Sequence, residues 1–124
     1  MEFNFKIKQE SKYCIVYLSG SLLEKNDSIE LTDTLNNYLN SHNLFYILDL
    51  DRMNYINSTG LNILINILTK VRNRGGDMAV INVPKKIKQV LLITKLNSIF
   101  NVSQTIGEAE RSIYNAIKQY QATN

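Results

Sequence analysis

Asn57-Ser58-Thr59-Gly60-Leu61 places two hydroxyls and a glycine between an apolar run that reads as a strand and a longer apolar run that reads as a helix. A hydroxyl at such a junction has two chemical uses. It can cap the helix, its oxygen accepting a hydrogen bond from an unpaired backbone N–H of the first turn. It can also carry phosphate, because those N–H groups and the positive end of the helix dipole tolerate an anion there. Spacing alone leaves both open, with Ser58 as the acceptor in the second.

Other chemistry is thinly represented. The single histidine, His42, sits in the polar stretch Asn40-Ser41-His42-Asn43 with no recognisable nucleophile nearby, and reads as an exposed loop residue. Gly75-Gly76 closes a helix rather than opening one, and no phosphate-binding lysine loop or dinucleotide fingerprint occurs. Asp49 and Asp51 stand two apart at a strand end without further acidic ligands at useful spacing, so Asp49 is assigned a structural role. The only cysteine, Cys14, lies in a strand-like run and reads as a core residue. The expectation is a non-enzymatic protein with no catalytic residue, metal or cofactor.

The net charge is +3, and six basic residues fall between Lys70 and Lys88 against one acid, Asp77. They divide between the end of one helix and the start of another, with no aromatic residues interleaved for base stacking, so direct nucleic-acid binding is not expected. No apolar run is long enough to cross a bilayer, and Met1-Glu2-Phe3-Asn4-Phe5-Lys6 lacks the layout of a signal peptide. No membrane insertion and a cytoplasmic location are the resulting expectations. A chain of 124 residues suits one domain, here 1–124 with a frayed tail from about 120.

The elements that must hold Ser58 follow from periodicity. Phe3, Phe5 and Ile7 alternate with polar residues as in a half-buried strand, and Tyr13 to Leu18 forms its hairpin partner, ended by Ser19-Gly20-Ser21. Asp27-Ser28-Ile29-Glu30 has capping-box spacing before a helix that runs to about Asn40. Leu44 to Leu50, apolar on both faces, predicts a central strand leading to a loop before Ser58. A helix then runs from Ser58 to Arg74, a strand from Met78 to Val83, and a helix from Pro84 that turns Ile87, Val90, Leu91 and Thr94 inward and ends at Leu96-Asn97. A short strand, Ile99 to Val102, and a last helix, about Gly107 to Tyr120 with Ala109, Ile113, Ala116 and Ile117 on one face, complete the order. This order predicts an α/β domain: a mixed, mostly parallel sheet with an N-terminal hairpin and about four packed helices.

Leu48-Asp49-Leu50, Ile56-Asn57-Ser58-Thr59-Gly60-Leu61 and the helix that follows resemble the STAS family, named for sulfate transporters and anti-sigma-factor antagonists. Leu18-Ser19-Gly20-Ser21-Leu22, Gly75-Gly76 before Met78 to Val83, Pro84, the Leu96 to Phe100 segment and Ala109 extend the resemblance over nearly the whole chain. It implies an anti-anti-sigma factor. The unmodified protein binds a serine protein kinase that is also an anti-sigma factor and frees the sigma factor. Phosphorylation at Ser58 ends that binding, and a serine phosphatase resets it. Thr59 is a second candidate acceptor. The sequence departs from the usual motif at two positions: Asn57 replaces an aspartate, and Leu23 stands where many relatives have another.

The partner-binding residues expected from the resemblance and the helix pattern are Asn57, Ser58, Thr59, Gly60, Asn62 and Ile63. Gly60 is assigned close approach of a partner to the backbone. Ile63 and Ile67 widen the apolar arc of the helix to about 200°, which leaves two readings: a partner-facing edge, or cover by a neighbouring helix of the same domain. A second functional reading is a constitutive STAS docking subunit of a lipid-transport or signalling assembly, never phosphorylated.

Overall fold

The computed structural model describes residues 2–123. Strands β1 (Asn4–Gln9) and β2 (Cys14–Leu22) form an antiparallel hairpin, and β3 (Phe45–Ile56) and β4 (Asp77–Ile81) add in parallel, giving the sheet order β1-β2-β3-β4. Between them run a 3₁₀ turn (Lys25–Ser28) and the helices α1 (Ile29–Asn40), α2 (Ser58–Asn73), α3 (Lys85–Ile93) and α4 (Ile106–Thr123). This is the mixed sheet with an N-terminal hairpin and four α-helices that the element order predicts.

The registers sort the sheet into two faces. Val16, Leu48 and Val80 share one face, against which Leu61 and Leu64 of α2 and Ile87 and Leu91 of α3 close the core. Ile15, Ile47 and Ala79 share the other, where α4 packs. Edge-on ring contacts fix α4 there, Tyr13 to Tyr114 at 6.3 Å between centroids and Phe45 to Tyr120 at 6.0 Å, and the Tyr13 hydroxyl donates to Glu110 Oε2 at 2.7 Å. Burial and that carboxylate raise the Tyr13 pKa. Burial likewise raises the Cys14 thiol, which is fully enclosed in β2 as expected.

Several boundaries differ from the sequence expectation, each for a local reason. β2 does not stop at Leu18. Its pairing with β3 runs on to Leu22 across two register shifts, between Tyr17 and Ser19 and between Gly20 and Ser21, each of which places an extra residue on β3, and Gly20 with φ +82° is a strand residue beside the Glu2 carbonyl instead of a terminus. β3 continues past Leu50 to Ile56, so no loop separates it from α2. The capping box lies one turn earlier than Asp27–Glu30: Asp27 Oδ2 accepts from the Glu24 backbone N–H at 3.2 Å, while Ser28 Oγ donates to the Lys25 carbonyl instead of capping α1.

At the end of α3 the left-handed position is Lys95, φ +60°, and not Asn97; Thr94 is exposed and bonds back to the Val90 carbonyl at 2.7 Å. Ile99 to Val102 forms turns and a single parallel bridge, Val80 to Val102, in place of a strand. α4 is helical through Thr123, beyond the expected frayed tail, and Asn124 lies outside the described residues.

Candidate functional site

β3 delivers the chain to α2 with one intervening residue. Asn57 adopts an extended conformation and is the N-cap: its Oδ1 accepts from the Gly60 N–H at 2.9 Å, and its carbonyl accepts from Leu61 N–H at 2.9 Å. The cap is therefore Asn57, not Ser58 or Thr59. Both hydroxyl residues are exposed in the first turn of α2, and neither side chain has a hydrogen-bond partner among the described residues. The cap takes one of the first-turn N–H groups and leaves the hydroxyls open to solvent.

Asn57 has a second contact. Its Nδ2 donates to the Leu23 carbonyl at 3.1 Å, tying the segment after β2 to the start of α2. An aspartate could reproduce the cap but not this bond, since an ionised carboxylate has no proton to give. Asp27 Oδ2 holds the same segment from the other side through the Leu23 and Glu24 N–H groups at 3.4 and 3.2 Å. The backbone of Leu23 is thus held beside the start of α2, with its side chain half-exposed. In the sequence Leu23 is only a departure from a pattern, because a tether to its backbone carbonyl carries no side-chain signal.

Gly60 has a different job from the expected one. It is buried, and a Cβ there would collide with the Leu22 carbonyl and the Ile56 side chain. The close approach is made by this chain's own backbone. Ile63 is likewise interior at 8% exposure, and Ile67 at 5%, both facing the 3₁₀ turn and α1 across a groove that Ile29 and Thr32 also line. The second reading of the wide apolar arc is the one the packing realises. Of the six expected partner contacts, Ser58, Thr59 and Asn62 are exposed and Asn57 is partly so.

α2 itself brings no charge to this surface. No Asp, Glu, Lys or Arg occurs from Met53 to Thr69, and the exposed residues of α2 through that span are Ser58, Thr59, Asn62, Asn66 and Thr69. A phosphate on Ser58 would add about −1.5 to −2 charges to a neutral stripe, at the helix end whose dipole favours an anion. Asp49 lies elsewhere: its Oδ1 accepts from Asp51 N–H at 2.9 Å and Asn82 Nδ2 at 3.3 Å, a structural arrangement at the sheet's other face. Among the described residues no group of three or more His, Cys, Asp or Glu is placed to hold a metal ion.

The STAS domain family model matches residues 4–109, and the chain belongs to this family. A Thermotoga maritima protein provisionally named an anti-sigma factor antagonist is 33% identical over 58 residues, covering 47% of this chain and 51% of the relative. A Thermotoga neapolitana homologue is 35% identical over 63 residues, covering 51% of this chain and 56% of that protein. The chain thus spans about half the length of the curated relatives it matches. A Thermotoga maritima crystal structure described in the same provisional terms superposes with a TM-score of 0.79 at 25% identity, over 89% of this chain and 94% of that one. The anti-sigma factor antagonist SpoIIAA in its unphosphorylated form shares the fold, with a TM-score of 0.74 at 13% identity over 90% and 97% of the two chains.

Proposed function

We propose that this chain is an anti-sigma factor antagonist, a binding protein and not an enzyme, acting in the cytoplasm. Its unphosphorylated form docks an anti-sigma factor that is also a serine protein kinase, through Asn57, Ser58, Thr59 and Asn62, and so frees a sigma factor. Phosphorylation of Ser58 ends the complex, and a serine phosphatase restores it. The observation that carries this reading is the exposed Ser58 hydroxyl, without a partner among the described residues, on a helix whose cap is supplied by its neighbour.

The physics is a change of surface, not of fold. At the α2 N-terminus phosphate meets backbone N–H groups and a favourable dipole, so the domain itself tolerates it. At a partner interface built for a neutral hydroxyl, repulsion and desolvation of roughly 3 kcal/mol lower affinity by about two powers of ten, enough to exchange partners.

The test is partner capture from the native host with wild-type, Ser58→Ala and Ser58→Glu baits, together with phosphopeptide mapping of the wild-type chain. The expected result is a kinase-like anti-sigma factor on wild type and Ala, its loss on Glu, and phosphate on Ser58. One common assembly on all three baits with Ser58 unmodified would instead make the chain a constitutive STAS docking subunit, and the proposal would fail.

A further inference from the structure

α3 carries a charge pattern that its own stability does not explain. Lys85, Lys86 and Lys88 crowd its first turn, where the helix dipole is positive and acidic residues are the stabilising choice; no acid is present there, and the N-cap is Pro84 with no side-chain hydrogen bond. None of these lysines has an ion pair among the described residues, nor does Lys95 just past the helix. The sequence from Met78 to Gly107 contains these four lysines and no Asp or Glu. The charge carried by this segment is therefore uniformly positive, with the Asp49 carboxylate touching it through Asn82 Nδ2 at 3.3 Å.

The same face is apolar at its far end. Leu92 is 56% exposed and Ile93 is 81% exposed, the highest value among the large apolar side chains of the described residues. At 100° per residue, Lys88, Leu92, Lys85, Gln89, Ile93 and Lys86 fall within an arc of about 160°. Ile87 and Leu91 point the opposite way into the core, so this arc is not a misplaced core face. Scattered single apolar residues need no explanation; two adjacent ones ringed by unpaired lysines do.

We infer that the exposed face of α3 docks on an anionic lipid bilayer, as a peripheral contact. Charge complementarity favours this occupant: lysines are drawn to an anionic surface while their stems and the neighbouring Leu92 and Ile93 sink into the headgroup boundary. The face is convex, and a bilayer needs no matching socket. No helix among the described residues is long and apolar enough to cross a membrane, so the contact is confined to one leaflet. The inference does not depend on Ser58.

The experiment is co-sedimentation of the full chain with phosphatidylcholine vesicles, with and without roughly one-third phosphatidylglycerol. Binding is expected only to the anionic vesicles. Replacing Lys86 and Lys88 by Gln should weaken it about thirtyfold, from about 1 kcal/mol per lysine. Ile93→Ser should weaken it about tenfold, and the Lys6→Gln, Lys8→Gln pair, which removes the same charge from β1, should leave it unchanged. Far-UV circular dichroism checks that each variant is folded. Three results would overturn the inference: no preference for anionic vesicles, equal loss with the β1 pair, or binding indifferent to Ile93→Ser. Each would reduce the face to general charge or assign it to a protein.

Discussion

The N-termini of α2 and α3 start from the same end of the sheet and solve the same problem differently. Each follows the carboxyl end of a parallel strand, each leaves first-turn N–H groups without helical partners, and both pack on one sheet face through Leu61, Leu64, Ile87 and Leu91. At α2 the side chain of Asn57 caps the end, and the helix carries no charged residue before Lys70. At α3 no side chain caps, and three lysines make the pole more positive. The difference separates two kinds of recognition. In the reading proposed above, a capped helix end without charged residues of its own is where one added phosphate changes the surface most, whereas a lysine-rich end attracts an anionic surface constantly.

The comparison can be broken first at Gly60. Its Cβ site is occupied by the Leu22 carbonyl and Ile56, and backbone cannot step aside cheaply. Gly60→Ala should cost about 3 kcal/mol in urea unfolding, since overpacking of this kind reaches that size. Asn57 sharpens it. Asn57→Ala loses both the cap and the Leu23 tether and should cost about 2 kcal/mol, while Asn57→Asp keeps the cap and gains dipole energy, leaving a loss within about 1 kcal/mol. Amide exchange should separate the two effects: in Asn57→Asp the segment around Glu24 exchanges faster while Gly60 stays protected. Equal losses for the two variants would mean that the cap carries no energy and the Leu23 tether all of it.

The smallest effect has the opposite sign. Lys86→Glu in the first turn of α3 should raise stability by about 0.5 kcal/mol by reversing an unfavourable charge–dipole contact. No gain would remove the argument that the lysines are retained against the helix's own preference.

The main elements were legible because the core obeys simple periods. The central position of β3 is written in Phe45 to Leu48, buried on both faces, and the α2 core stripe in Leu61, Leu64, Leu68 and Val71. The rest was hidden where one signal served two ends. Beyond Leu50, β3 buries only every third residue, Met53 and Ile56, and exposes Asp51, Arg52, Asn54 and Tyr55, so the period of two that marks a strand is lost. Asp27 satisfies capping-box spacing with either Glu24 or Glu30, and only the 3₁₀ turn decides. Gly60 and Ile63 looked like partner contacts because a glycine and a wide apolar arc do not reveal that Leu22, the 3₁₀ turn and α1 fill the space beside them. Ser58 opens α2 as the periodicity predicts, yet its neighbour does the capping.

The central claim is that the Ser58 hydroxyl is left open by the Asn57 cap for modification that ends partner binding. The most direct measurement incubates the purified chain with the purified kinase that binds the Ser58→Ala variant, adds ATP, locates the phosphate by mass spectrometry and measures affinity before and after. Phosphate on Ser58 with a loss of about a hundredfold in affinity is the predicted result. Phosphate on another residue, or phosphorylated Ser58 with affinity unchanged, would contradict it.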